Sequence, residues 1–131
     1  MGESNGTDVK AIEGMLEQLS AAYLARDWDG FTSFFTEDAV WMPPDQPPLI
    51  GKDAWWSWIG GGWHQSTIQE QDTGSQEIVV AGDWAYEWHK ETQRGPDWQM
   101  NFKGIFIMQR QVNDSRNIAR YCFNFSPRID A

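Results

Sequence analysis

The strongest constraint in this sequence is a change of period near Trp63. Before it, apolar residues recur at spacings of three and four. After it they recur at spacings of two, in stretches separated by turn-forming residues. Helices followed by a block of strands segregate into an α+β domain, because each amphipathic element must bury one face and the sheet offers the helices a common one.

Val9, Ile12, Leu16, Leu19 and Tyr23 lie on one stripe of a helix expected from about Thr7 to Arg26. Asp27 can cap a second helix whose apolar side is Trp28, Phe31 and Phe35, ending near Phe35. Ala39 to Met42 reads as a short strand closed by Pro43-Pro44, and the proline-rich loop to Leu49-Ile50 is stiff and extended. A third helix starts at Gly51-Lys52-Asp53, aligns Trp55, Trp58 and Ile59, and stops at Gly60 to Gly62. Residues 1–6 are expected to be a flexible N-terminus and 7–131 a single domain.

Four strand stretches follow, Ser66 to Ala81, Trp84 to Arg94, Trp98 to Val112 and Arg116 to Ser126. The breaks are Gly82-Asp83, Arg94 to Asp97 and Asn113 to Ser115, short enough to join neighbours into an antiparallel meander. The stretches are long, so bends are expected, with Gly74 and Gly104 as the sites.

Charge removes whole classes of partner. Nineteen acids against ten bases give a net charge of -9, the wrong sign for a nucleic-acid backbone. Residues 1–60 hold ten acids and three bases (net -7), and residues 61–131 nine and seven (net -2), which fits solvated helix faces. No apolar run approaches the roughly 20 residues of a membrane span. With one cysteine, Cys122, and no basic-then-apolar start, a cytoplasmic protein without internal disulfides is expected. Cys122 sits in an apolar run and reads as a packed residue.

Nine Trp, seven Phe and three Tyr make 15% of the chain aromatic. Ordinary aliphatic packing would not need them. Clustered Trp suits a core margin, an interface or a pocket for a flat ligand, and simple packing is the competing explanation.

The segment from Leu19 to Asp53, with A-R-D-W-D-G-F at 25–31, T-E-D-A-V-W-M-P-P at 36–44 and L-I-G-K-D-A at 49–54, resembles the nuclear transport factor two-like superfamily, nearest its SnoaL-like branch. A-G-D-W-A-Y at 81–86 and F-K-G-I-F-I at 102–107 agree with it. The resemblance implies a cone-shaped α+β fold, with three N-terminal helices packed into a strongly curved, mostly antiparallel sheet around a ligand. It also implies homodimerisation through the outer sheet face. The superfamily includes isomerases, dehydratases, epoxide hydrolases, polyketide cyclases and modules without chemistry.

Carried onto this chain, the resemblance implies inward positions at Trp41, Pro43, Tyr86, Trp88, Lys103, Tyr121 and Phe123. Alternation puts Trp84, Tyr86 and Trp88 on one face of their strand and Ala85, Glu87 and His89 on the other, and a one-residue register error exchanges the two sets. Ketosteroid isomerase pairs a carboxylate base with a Tyr and a protonated Asp. Those positions fall here on Pro43, Leu19 and on or beside Lys103, so steroid isomerisation by that mechanism is not expected.

Candidate chemistry rests on few groups. His64 and His89 are the only histidines and either could act as a general base. His89 alternates with Glu87 and Glu91, which would raise its basicity if they are close but also suits an outer surface. Lys103 could hold an acidic ligand or stabilise an enolate, and Asp45, at the expected mouth of the cone, could act as acid or base. Each has an ordinary counterpart, a solvated strand lysine and a turn aspartate. Trp41, Trp55, Trp58, Tyr86, Trp88, Tyr121 and Phe123 are the candidate ligand-lining residues. No metal or phosphate motif is present, and no cofactor is expected.

Two functions fit. One is a cofactor-independent isomerase, cyclase or dehydratase acting on a hydrophobic or polyketide-like metabolite. The other is a non-catalytic homodimeric module that binds a small ligand or a protein. An enzyme requires at least two titratable groups converging in the hollow of the sheet.

Overall fold

The computed structural model describes residues 2–60, 70–125 and 129–130 of the chain. The expected roles of His64, Gly61 and Gly62 as well as the start of the first long strand at Ser66 lie outside the described residues. In chain order the elements are α1 (Gly2–Leu24), α2 (Trp28–Thr32), β1 (Phe35–Met42), β2 (Leu49–Ile50), α3 (Lys52–Gly60), β3 (Glu70–Ala81), β4 (Trp84–Arg94), β5 (Trp98–Arg110), β6 (Arg116–Phe125) and β7 (Ile129–Asp130).

The strands form one curved, open sheet in the order β2-β1-β6-β5-β4-β3, with β7 added beside β5. All pairings are antiparallel except β1 with β6. This is the expected α+β architecture, helices first and a mostly antiparallel curved sheet after them. Helix α1 lies against β3 and α2, and α3 against β1 and β2. Among the described residues no helix is long and apolar enough to cross a membrane.

The helical stripe is buried as its spacing requires, with Ile12, Leu19 and Tyr23 in the core. Helix α1 begins at Gly2, ahead of the expected Thr7. Helix α2 is shorter than expected, for a local reason. Asp27 caps it by accepting from the Gly30 amide at 3.0 Å, but the hydroxyls of Thr32 and Ser33 donate back to the carbonyls of Trp28 and Gly30 at 2.9 and 2.6 Å. Side chains that bond to the helix's own carbonyls offer the backbone an exit. Phe34 then accepts from the Ile118 amide at 2.8 Å and Phe35 begins β1.

The register breaks fall partly where glycine suggested. One irregularity lies between Ser75 and Glu77, just beyond Gly74. A second lies between Ile107 and Met108 rather than at Gly104. Gly104 serves another purpose, described below. The Gly82 turn has φ +63°, a conformation that glycine adopts without strain, and it joins β3 to β4 through two residues.

Much of the aromatic excess is core. Phe35 stacks on Trp41 with ring centres 4.6 Å apart, Trp41 on Trp55 at 5.3 Å and Trp55 on Phe31 at 5.3 Å. This column of rings welds α2, α3 and β1 together. Its burial is the main reason that such short helices hold their places on the sheet.

Candidate active site

Strand β4 decides the site. Its burial alternates, with Ala85, Glu87, His89 and Gln93 buried while Trp84 and Trp88 are exposed. The inner face of the strand is therefore the polar set. Pairing of β4 with β5 sets Glu87 opposite Phe106, His89 opposite Gly104 and Glu91 opposite Phe102. Gly104 leaves room for the imidazole: a Cβ there would stand 3.0 Å from His89 Nε2, 3.0 Å from Tyr121 Cε1 and 3.2 Å from the Cys122 carbonyl. That is the close approach a glycine inside a strand marks.

The polar groups form a chain. Ser75 on β3 donates to Glu87 Oε2 at 2.5 Å, and Glu87 Oε1 lies 2.7 Å from His89 Nδ1. Glu87 and His89 are 1% and 2% exposed, so the pair is removed from water, with both carboxylate oxygens and Nδ1 engaged internally. A carboxylate can only accept, so Nδ1 carries the proton of that bond, and in the neutral imidazole Nε2 is then the acceptor. Among the described residues Nε2 has no hydrogen-bond partner. Phe106 and Tyr121 flank the ring, with centres 4.9 and 6.0 Å away. Two residues further along β4, Glu91 accepts a short hydrogen bond from Gln93.

These groups line a cavity of about 70 Å³ between the sheet and the helices. Its polar side is Ser20 on α1 with Gln71, Ser75, Glu87, His89, Glu91 and Gln93. Its apolar side includes Leu19, Tyr23, Phe31, Trp55, Trp58 and Phe106, with Phe123 and Tyr121 completing the wall. Burial pushes the Tyr121 phenol well above its ordinary pKa, with the Glu91, Tyr23 and Glu87 charges acting the same way. Tyr121 therefore keeps its proton and remains a donor. The volume exceeds what one water needs but is far below that of a drug-sized pocket, so it fits a few heavy atoms at once.

Of the positions carried over from the resemblance, Tyr121 and Phe123 line the cavity, and so do Trp55, Trp58 and His89, candidates read from the sequence itself. Trp41 is fully buried behind Trp55 and does not reach it, because it is the middle ring of the stacked column. Pro43 is buried outside it. Tyr86 and Trp88 stand on the outer face, corrected by the register that turns Glu87 and His89 inward; Tyr86 donates to Glu77 there at 3.1 Å. Lys103 is also exposed on the outer face, opposite Lys90. Asp45 is exposed in a turn at φ +58°, the ordinary turn role. Ser75, Gln71 and Gln93 were not singled out from the sequence, and Glu87 and Glu91 only as neighbours of His89 on its strand. What turns that alternation inward is Gly104, the mid-strand glycine opposite His89.

The sequence matches the SnoaL-like domain over residues 16–116. The chain belongs to the SnoaL-like family. No curated protein matches it significantly. Among solved structures, a conserved protein of Planctomyces limnophilus is similar at TM-score 0.81 and 21% identity, covering 93% of this chain and 98% of that one. A ketosteroid isomerase-like protein of Erwinia carotovora atroseptica is similar at TM-score 0.76 and 21% identity, covering 90% and 96%. A protein of Novosphingobium aromaticivorans, provisionally named a scytalone dehydratase, is similar at TM-score 0.77 and 16% identity, covering 100% and 92%. At such identities these likenesses speak to the fold alone.

Proposed function

We propose that this SnoaL-like domain is a cofactor-independent acid–base enzyme of the isomerase, cyclase or dehydratase kind. Its substrate is a hydrophobic, ring-bearing or polyketide-like metabolite bound at the aromatic cavity. The observation that carries the reading is the buried Ser75–Glu87–His89 chain, which ends at an unpartnered imidazole nitrogen in that cavity.

In the proposed step, Nε2 of His89 takes a proton from the carbon next to a substrate carbonyl. The electron pair of the broken C–H bond forms a carbon–carbon double bond as the carbonyl π pair moves to the oxygen, giving the enolate. Glu87 stabilises the imidazolium as it forms, and the Tyr121 hydroxyl, still protonated, donates to the developing oxyanion. Returning the proton to a different carbon isomerises the substrate; expelling a β-hydroxyl with that proton dehydrates it. The small volume implies that only the reacting end is enclosed, while the rest of the substrate lies across the half-buried Trp58. Lys103 and Asp45 take no part in this step.

A second, compatible reading is a homodimer through the outer sheet face. It is favoured by the side-by-side exposure of Trp84, Trp88, Ile105 and Ile107, at 47%, 38%, 37% and 37%. Light scattering tests it: about twice the 15.1 kDa chain mass supports a dimer and a clean monomer argues against it.

The enzymatic reading is tested with 2-tetralone, a neutral ring ketone, in deuterated buffer. The expected result is α-deuterium incorporation above the buffer rate by the native protein and its loss in His89→Gln. Binding seen by Trp fluorescence without any exchange would leave a binding module.

A further inference from the structure

Gln71 and Gln93 stand opposite each other on β3 and β4, and both line the cavity. Their amides have different fates. Gln93 donates to Glu91 and is itself buried. Gln71 is half-buried, yet its carbonyl oxygen Oε1 is withdrawn from water and has no hydrogen-bond partner among the described residues. A buried acceptor of this kind is costly until a donor reaches it. With none supplied by the described residues, the donor belongs to what enters the cavity. Water fits a space of about 70 Å³, and a ligand hydroxyl that displaces it reproduces its bond. A bare ring or an ether displaces the same water at a loss.

Position decides where on the ligand that hydroxyl lies. Gln71 precedes Ser75 by four residues on β3, roughly 13 Å of strand, and Ser75 pairs directly with His89. One contact at Nε2 of His89 and one at Gln71 therefore bracket a two-ring skeleton, for which Leu19, Phe31 and Phe106 provide apolar wall. The Gln71 end is the open one: β3 is the last strand of the sheet, and Gln71 also borders a surface depression with Asp72 and Gln76. We propose that Gln71 is a specificity residue, accepting a hydrogen bond from a hydroxyl remote from the carbon that His89 deprotonates, so that the substrate is a hydroxylated two-ring ketone. The inference rests on the acid–base reading of the cavity and adds the substituent that its substrate carries.

Three ketones test it: 2-tetralone, 6-hydroxy-2-tetralone and 6-methoxy-2-tetralone, which differ only at the end remote from the carbonyl. Each is titrated into the native protein by calorimetry and assayed for α-deuterium exchange. The hydroxy compound should bind about tenfold more tightly than the methoxy compound, the worth of one buried hydrogen bond. In Gln71→Leu that ratio should fall to about one, with Gln71→Met as a second apolar replacement; the native comparison needs neither variant. Equal affinities in the native protein, or a preference that survives both replacements, overturns the assignment to Gln71 while exchange, if seen, keeps the acid–base reading. A preference lost with Gln71 but unaccompanied by exchange keeps Gln71 as a binding residue and overturns the acid–base reading. No binding of any of the three overturns both.

Discussion

Glu87 and His89, two residues apart on β4, join carboxylate to imidazole at 2.7 Å with almost no exposure to solvent. Both side chains point to the inner face because strand residues alternate. A buried pair of this kind survives only when its remaining lone pairs are engaged, and Ser75 supplies that second bond. The pair is therefore a structural element as well as a chemical one, and variants should separate the two roles.

Glu87→Gln keeps the shape but removes the charge and offers the imidazole an amide instead of a carboxylate. It should abolish exchange activity while leaving the fold intact by circular dichroism. Glu87→Ala should in addition destabilise by about 1–3 kcal/mol, because Ser75 and Nδ1 lose their buried partner. Denaturant midpoints of the two variants check this, and equal activity in Glu87→Gln and the native protein would remove Glu87 from the chemistry.

Gly104→Ala places a methyl group 3.0 Å from both His89 Nε2 and Tyr121 Cε1, and 3.2 Å from the Cys122 carbonyl oxygen. The carbonyl belongs to the neighbouring strand and cannot turn aside as a side chain can. A loss of about 1–3 kcal/mol is expected from overpacking, together with displacement of the His89 ring. Thermal melts and the His89 ring proton shifts read the two effects.

How much of this was legible in the sequence differs by element. The strand pairing β4 to β5 was, because Arg94 to Asp97 is turn chemistry flanked by period-two stretches, and the observed Trp84–Arg94 strand has the expected bounds. The inner face of β4 was not. Hydrophobicity alone favours burying Trp84, Tyr86 and Trp88 over Glu87 and His89. The choice is reversed by partners on other elements, Ser75 on β3 and the space above Gly104 on β5, which no single strand reveals. The helical stripe was legible because Ile12, Leu19 and Tyr23 carry it at regular spacing. Trp41 was misplaced because a ring bound into a stack and a ring lining a hollow have the same sequence pattern.

Trp41 also carries a testable conflict. It is wholly buried, yet its indole N–H has no partner among the described residues. Trp41→Ala should cost about 3–5 kcal/mol through the cavity left between Phe35 and Trp55. Trp41→Phe should cost clearly less, since it retains a ring and removes the unsatisfied donor. Chemical denaturation of both variants checks the ordering.

The Tyr121 phenol ionises in the folded protein at a pH well above its ordinary value, chiefly through burial. A folded pKa raised above the unfolded one means that its stabilising contribution is whole below about pH 10 and is lost as pH rises through the folded value. Stability should therefore fall above that pH, and the fall should be smaller in Tyr121→Phe. Midpoints of urea denaturation at pH 8 and at pH 11, compared between the two proteins, check the sign.

The central claim is that His89 presents a free Nε2 to the cavity, with its proton held on Nδ1 by Glu87. The direct measurement is the nitrogen-15 spectrum of the two imidazole nitrogens of His89 at neutral pH, with and without 2-tetralone. The account expects a protonated Nδ1, an unprotonated Nε2, and a shift of Nε2 when the ketone is added. A proton found on Nε2 in place of Nδ1, or an Nε2 signal indifferent to every ligand that perturbs the tryptophans, would contradict it.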